Sequence, residues 1–172
     1  PKAYWNNGSP PLNVFPPLDH MHTAIGRTLP GAFGGGKPVN APEWAGFLED
    51  VGIEATVLYP TNGLAYGRMN DIDWAIAACR AYNDWLYDAY VAKSPAFKGM
   101  ALIPMQDPEA AVVELRRAVT ELKMTGAMLP STGLKAHLGS KDYWPVYAEA
   151  ERLGCALALH GGGHINLGLN DL

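Results

Sequence analysis

KGMALIPMQDPEAAVVELRRAVTELKMTGAMLP, residues 98–130, contains one complete structural period. It opens with a short, almost continuously apolar run, 98–104, that ends in Pro104. Asp107 then offers a helix cap, with Pro108 in the first turn. Val112, Leu115, Val119 and Leu122 recur at helical spacing, so they define a buried face. A second apolar run, 125–130, ends in Pro130. Strands that are apolar throughout are covered on both faces, and a helix joining two of them implies a parallel crossover. The class this predicts is α/β.

The same period extends in both directions. Upstream, Asn40 and Glu43 read as a capping box with Pro42 in the first turn, starting a helix that runs to about Asp50 and stops at Gly52. IEATVLYP (53–60) is the next apolar strand. A long helix over 71–93 follows, with Trp74, Ala78, Trp85 and Leu86 on its apolar side. Downstream, Asp142 or Ser140 starts a helix through Tyr147 to Leu153, ended by Gly154. CALALHG (155–161) is the last strand, and the run at 14–22 adds an earlier one, giving five. Residues 1–13 read as an irregular arm, and 14–172 as one domain.

Bulk properties narrow the function. The chain has 172 residues, 48% of them hydrophobic, and a formal charge of −4. No basic run stands out, which argues against nucleic acid or an anionic membrane as partner. No stretch approaches the roughly 18 apolar residues of a bilayer span, so no membrane role is expected. Cys79 and Cys155 sit in apolar contexts and suit two buried, reduced thiols in a cytoplasmic protein. Gly34-Gly35-Gly36 lacks the strand–glycine–lysine–helix order of a phosphate loop and reads as an irregular connection.

Chemistry concentrates in the histidines, of which there are five. His20 and His22 are two residues apart on an expected strand, so both project from one face at its carboxyl end. His160 closes the last strand. Parallel strands share one carboxyl edge, so His160 can meet the pair there. Three imidazoles suit zinc or a similar divalent ion. His164, after Gly161-Gly162-Gly163, can lie near the same mouth. His137 falls in a loop with no obvious partner and reads as solvated or capping.

The H-x-H at 20–22, the histidine at 160 and KDYWPVYAEAERLGCALALHGG (141–162) resemble the amidohydrolase superfamily. The branch is the amidohydrolase-related group, which includes aminocarboxymuconate-semialdehyde decarboxylase and resorcylate-type decarboxylases. The resemblance spans about 14–165. It implies a (β/α)8 TIM barrel with a metal at the carboxyl face. It also implies His20, His22 and His160 as ligands of one divalent ion, Zn2+ or alternatively Mn2+. The 125–130 strand has no lysine of the kind that bridges two metals in binuclear relatives. Many relatives carry an acidic residue two positions before the first histidine; here that position is Leu18, and alternation turns the adjacent Asp19 away from His20, so Asp19 is not expected to be a ligand.

Such a barrel takes about 250 residues, so the five strands are expected to be the amino-terminal part of a longer protein. The family's late histidine and aspartate have no counterpart here, Asp171 being too early. The activity implied is non-oxidative decarboxylation of a small, aromatic carboxylic acid. Metal-dependent hydrolysis of a lactone or amide is the alternative, and a non-catalytic metal or ligand binder the second. Substrate contacts are expected from the loops after the strands: Thr61, Asn62, Arg68, Ser131 and His164, with Tyr59, Gln106, Thr132 and Arg27 as further candidates. Trp74, Trp85 and Trp144 are expected to pack between helices and barrel. A small molecule is the expected partner, and a homodimer the expected assembly by analogy.

Overall fold

A computed structural model of the chain describes residues 39–60, 63, 66–131 and 133–160. The expected strand at 14–22 and the arm at 1–13 lie outside the described residues. Helix α1 (Ala41–Asp50) starts on the capping box: the Asn40 side chain accepts from the Glu43 N–H at 2.9 Å, and the Glu43 carboxylate accepts from the Asn40 N–H at 3.2 Å. Strand β1 is only Thr56–Leu58, shorter than 53–60. Residues Ile53–Ala55 are exposed ahead of it, and Pro60 has no N–H for a ladder.

Helix α2 (Ile72–Ala89) is capped by the Asp71 side chain, which accepts from the Trp74 N–H. It ends four residues before the expected Lys93, because Tyr90 leaves helical geometry (φ −134°, ψ −59°) and a 3-10 turn, Val91–Lys93, follows. Strand β2 (Phe97–Leu102) leads through the Asp107 cap into α3 (Pro108–Thr120). Strand β3 (Gly126–Pro130) leads through a short 3-10 turn into α4 (Trp144–Leu153) and then β4 (Ala156–His160). Ser140 caps that 3-10 turn, and Gly154 ends α4 in the left-handed region at φ +63°.

The four strands are parallel and ordered β1-β2-β3-β4. Each crossover therefore steps to the adjacent strand, the winding of a partial (β/α)8 barrel. Strand alternation divides the sheet into two faces. Ala101, Ile103, Ala127 and Leu129 pack under Ala111, Leu115 and Ala118 of α3 and Val146 and Ala150 of α4. The register pairs Leu102 with Met128 and Pro130 with His160, which puts these on the opposite face. Gly126 admits no side chain, because a Cβ there would collide with the Ala156 backbone.

Two helix faces depart from the expected ones. Trp85 and Trp144 are 55% and 57% exposed, so neither packs between helix and sheet. The buried stripe of α2 is instead Ala75, Cys79, Asn83 and Leu86, and that of α3 includes Glu114. The reason is pairing. Asn83 and Glu114 find polar partners inside, whereas Trp85 packs tilted against Tyr82 and edge-on against Tyr90 at the surface. Glu149 of α4 is likewise buried, gripped by Arg116 and Arg152. Cys79 is buried and Cys155 half-buried, both free thiols; burial pushes each thiol pKa up.

Candidate metal and substrate rim

The carboxyl ends of all four strands share one edge, and three connections meet there. The first follows β1. The Tyr66 hydroxyl, in a 3-10 turn spanning Tyr66–Arg68, donates to the Met128 carbonyl of β3 at 3.0 Å. Desolvation holds that phenol well above its ordinary pKa, so it stays protonated and keeps donating. The second follows β2. The Gln106 Nε2 donates to the Tyr66 carbonyl at 2.7 Å and to the Met69 carbonyl at 3.3 Å. Both of its amide hydrogens are committed, which fixes the orientation and leaves Oε1 as an acceptor. The third follows β3. Gly133, at φ +86°, approaches so closely that a Cβ would lie 2.7 Å from the Arg68 nitrogen.

These ties place the predicted residues. His160 ends β4 on the face opposite α3 and α4, directly across from Pro130. Its carbonyl accepts from the Ser131 N–H at 3.2 Å, which brings Ser131 to the same rim. The Tyr59 ring, just past β1, stands 5.8 Å from the His160 ring, centroid to centroid, at 54°. Curvature of the sheet closes the gap, since β2 and β3 lie between their strands. Arg68 sits on the 3-10 turn backed by Gly133. His137 is exposed, with its carbonyl closing a turn to Ser140, as a solvated residue would be.

His20, His22, Thr61, Asn62, Thr132, His164 and Arg27 lie outside the described residues. Among the described residues no group of three His, Cys, Asp or Glu side chains is placed to hold a metal. The described rim therefore offers one imidazole, and a full ligand set needs donors from elsewhere in the protein. His160 itself is half-buried at the carboxyl end of β4. Two rim atoms, the Ser131 Oγ and the Gln106 Oε1, are buried without a hydrogen-bond partner among the described residues. Polar atoms so placed are available to a ligand or to water.

Sequence reading did not single out Asn83, whose buried side chain hydrogen-bonds the Leu102 backbone at the end of β2. The signal was there, because Cys79, Asn83 and Leu86 fall on one helical stripe in which asparagine is the odd member.

Residues 53–169 match the family model described as amidohydrolase. A gamma-resorcylate decarboxylase from Rhodococcus jostii is 34% identical over 128 residues, covering 69% of this chain and 39% of that protein. A 2-amino-3-carboxymuconate-6-semialdehyde decarboxylase from Dictyostelium discoideum is 27% identical over 65% of this chain. Among solved structures, a dihydroxybenzoic acid decarboxylase from Polaromonas, with bound manganese and the inhibitor 2-nitroresorcinol, superposes with a TM-score of 0.65. It is 30% identical, over 72% of this chain and 39% of that one. The chain thus spans between 30% and 39% of the length of these decarboxylases. Among the described residues, no helix is long and apolar enough to cross a membrane.

Proposed function

The chain belongs to the amidohydrolase family, and from that premise we propose that the complete protein is a metal-dependent decarboxylase of small hydroxylated aromatic acids. The observation that carries this reading is the Tyr59–His160 pair. It sets an aromatic face beside a metal-ligating type of side chain at the carboxyl rim. An aromatic acid held there would pack its ring on Tyr59 while its carboxylate faces the His160 side.

His160 would hold one divalent ion together with His20 and His22 and an aspartate from later in the protein. The manganese in the Polaromonas relative favours Mn2+ over Zn2+. When bound, such an ion supplies positive charge against the substrate's carboxylate and an adjacent oxygen. The bond between ring carbon and carboxylate breaks, carbon dioxide leaves, and the ring carbon takes up a proton. The residues of this chain bind and orient. Tyr59 stacks on the ring, Ser131 and Gln106 offer polar atoms to ring hydroxyls, and Arg68 stands where it can face the carboxylate. Thr61, Asn62 and His164 complete the proposed contacts. A homodimer and a cytoplasmic location are parts of the same proposal.

The test is incubation of the full-length, metal-loaded protein with 2,6-dihydroxybenzoate, following carbon dioxide and resorcinol. Stoichiometric release of both supports decarboxylation. Turnover of lactones or amides with no carbon dioxide would move the assignment to hydrolysis. Metal and substrate binding without turnover of either would make it a binder.

A further inference from the structure

Strand β1 parts from β2 before β2 ends. Their ladder runs from the Thr56–Phe97 pair to the Leu58–Gly99 pair and stops, whereas β2 continues to Leu102. Three residues past the last pair, the Asn83 side chain takes the place of a neighbouring strand. Its Oδ1 accepts from the Leu102 N–H at 2.9 Å, and its Nδ2 donates to the Leu102 carbonyl at 2.8 Å. A side-chain amide carries the same donor and acceptor as a peptide group, so one asparagine satisfies both. The Nδ2 also donates to Glu114 Oε1 at 2.7 Å. Asn83 has no exposed surface.

A charged frame holds that amide in place. Glu114 is paired with Arg117 at 2.7 Å and with Arg80 at 3.6 Å, and Arg117 with Asp84 at 2.6 Å. Hydrogen bonds to Glu114 and Asp84 raise the Arg117 pKa still further, so its guanidinium stays charged. Asn83 is thus held from the α3 side and directed at the β2 edge beneath the rim.

We infer that Asn83 is a positioning residue: by closing the edge of β2 at Leu102 it keeps the chain after Leu58 out of the ladder, and so sets Tyr59 against His160. Without its amide, the buried N–H and carbonyl of Leu102 lose their partners, and leaving them unmet is costly. The backbone acceptor next in line for the Leu102 N–H is the Pro60 carbonyl, which now accepts from the Gly63 N–H at 2.8 Å. Pro60 has no N–H to extend the ladder itself, so its carbonyl reaches Leu102 only if the chain at Tyr59–Pro60 is re-aimed. The inference rests on the proposed function for its kinetic arm alone.

The experiment uses the complete, metal-loaded protein and 2,6-dihydroxybenzoate. Asn83→Leu is expected to raise KM about tenfold while kcat changes less than about threefold. Tyr59→Ala should raise KM similarly, and adding Asn83→Leu to it should raise KM no further, because one acts through the other. Glu114→Gln, which preserves the acceptor for Asn83, should lower stability and leave KM unchanged. Asn83→Ala replaces the leucine variant if that one does not fold. Multiplicative KM effects in the double variant overturn the inference, as does an unchanged KM in Asn83→Leu.

Hydrogen exchange in the metal-free protein reads the same placement without turnover. Asn83→Leu should speed exchange at Leu102 and change protection at Val57–Tyr59 by about tenfold, leaving Ala127–Leu129 as before. Unaltered Val57–Tyr59 protection overturns the inference. If the wild-type protein releases no carbon dioxide from any aromatic acid, the proposed function falls, and this exchange measurement alone decides the role of Asn83.

Discussion

The Tyr66 hydroxyl donates to the Met128 carbonyl at 3.0 Å, a buried bond between residues 62 positions apart. It joins the connection after β1 to the strand two places along the sheet. Tyr66→Phe keeps the ring and removes the donor, taking this hydrogen bond from a buried carbonyl. The expected cost is about 1–2 kcal/mol, read as a lower denaturant midpoint with an unchanged slope. An unaltered midpoint would show that this bond does not tie the rim.

Gly133 provides a second test of the same clasp. Its φ of +86° is unfavourable for any L side chain, and a Cβ would press on the backbone of Gly67 and Arg68. Gly133→Ala is expected to destabilise by about 2 kcal/mol or more. Gly139 is the control, since nothing lies within 4 Å of a Cβ there. Gly139→Ala should be nearly neutral, and equal losses at the two positions would refute the close approach.

The Glu149 carboxylate accepts from Arg152 and Arg116, which lowers its pKa from 4.5 to about 2. A depressed folded-state value means that its contribution is complete above about pH 4.5 and is lost as pH falls from there toward 2. Comparing Glu149→Gln with the wild type across pH 7 to 3 should show a stability gap that is constant above that window and narrows within it. A gap that stays the same down to pH 3 would remove the ion pairs from the account.

Metal content tests the ligand set without a substrate. In the full-length protein, His160→Ala and His22→Ala should each lose most of the bound ion, whereas His137→Ala, at an exposed turn, should retain it. Removing one of a small set of ligands generally costs more than the remaining ones can hold. Full metal in His22→Ala would sink the proposed centre.

Element identity was legible because it is a local matter. The capping box at Asn40–Glu43, the Asp107-Pro108 start and the glycine stop at 154 each act within a few residues, and the structure shows all three. The continuous apolar runs at 98–104 and 125–130 correctly announced buried parallel strands, since β2 and β3 are covered on both faces. Strand length at the edge was not legible. How far β1 pairs depends on what competes for the β2 edge, and although the stripe of Ala75, Cys79 and Leu86 marks Asn83 as interior, nothing local says which backbone its amide meets.

By itself, then, the sequence determined the α/β class, the order of elements and the position of His160 at a strand end, because spacing, capping and proline breaks are encoded in neighbouring residues. Tertiary structure alone decided that Tyr59 stands against His160, that the Asn83 amide meets the Leu102 backbone, that Glu114 is interior while Trp85 and Trp144 face solvent, and that Gly133 must lack a side chain. Those facts depend on which distant backbone or charge arrives beside each residue once the sheet curves, and no local pattern in the chain carries that information.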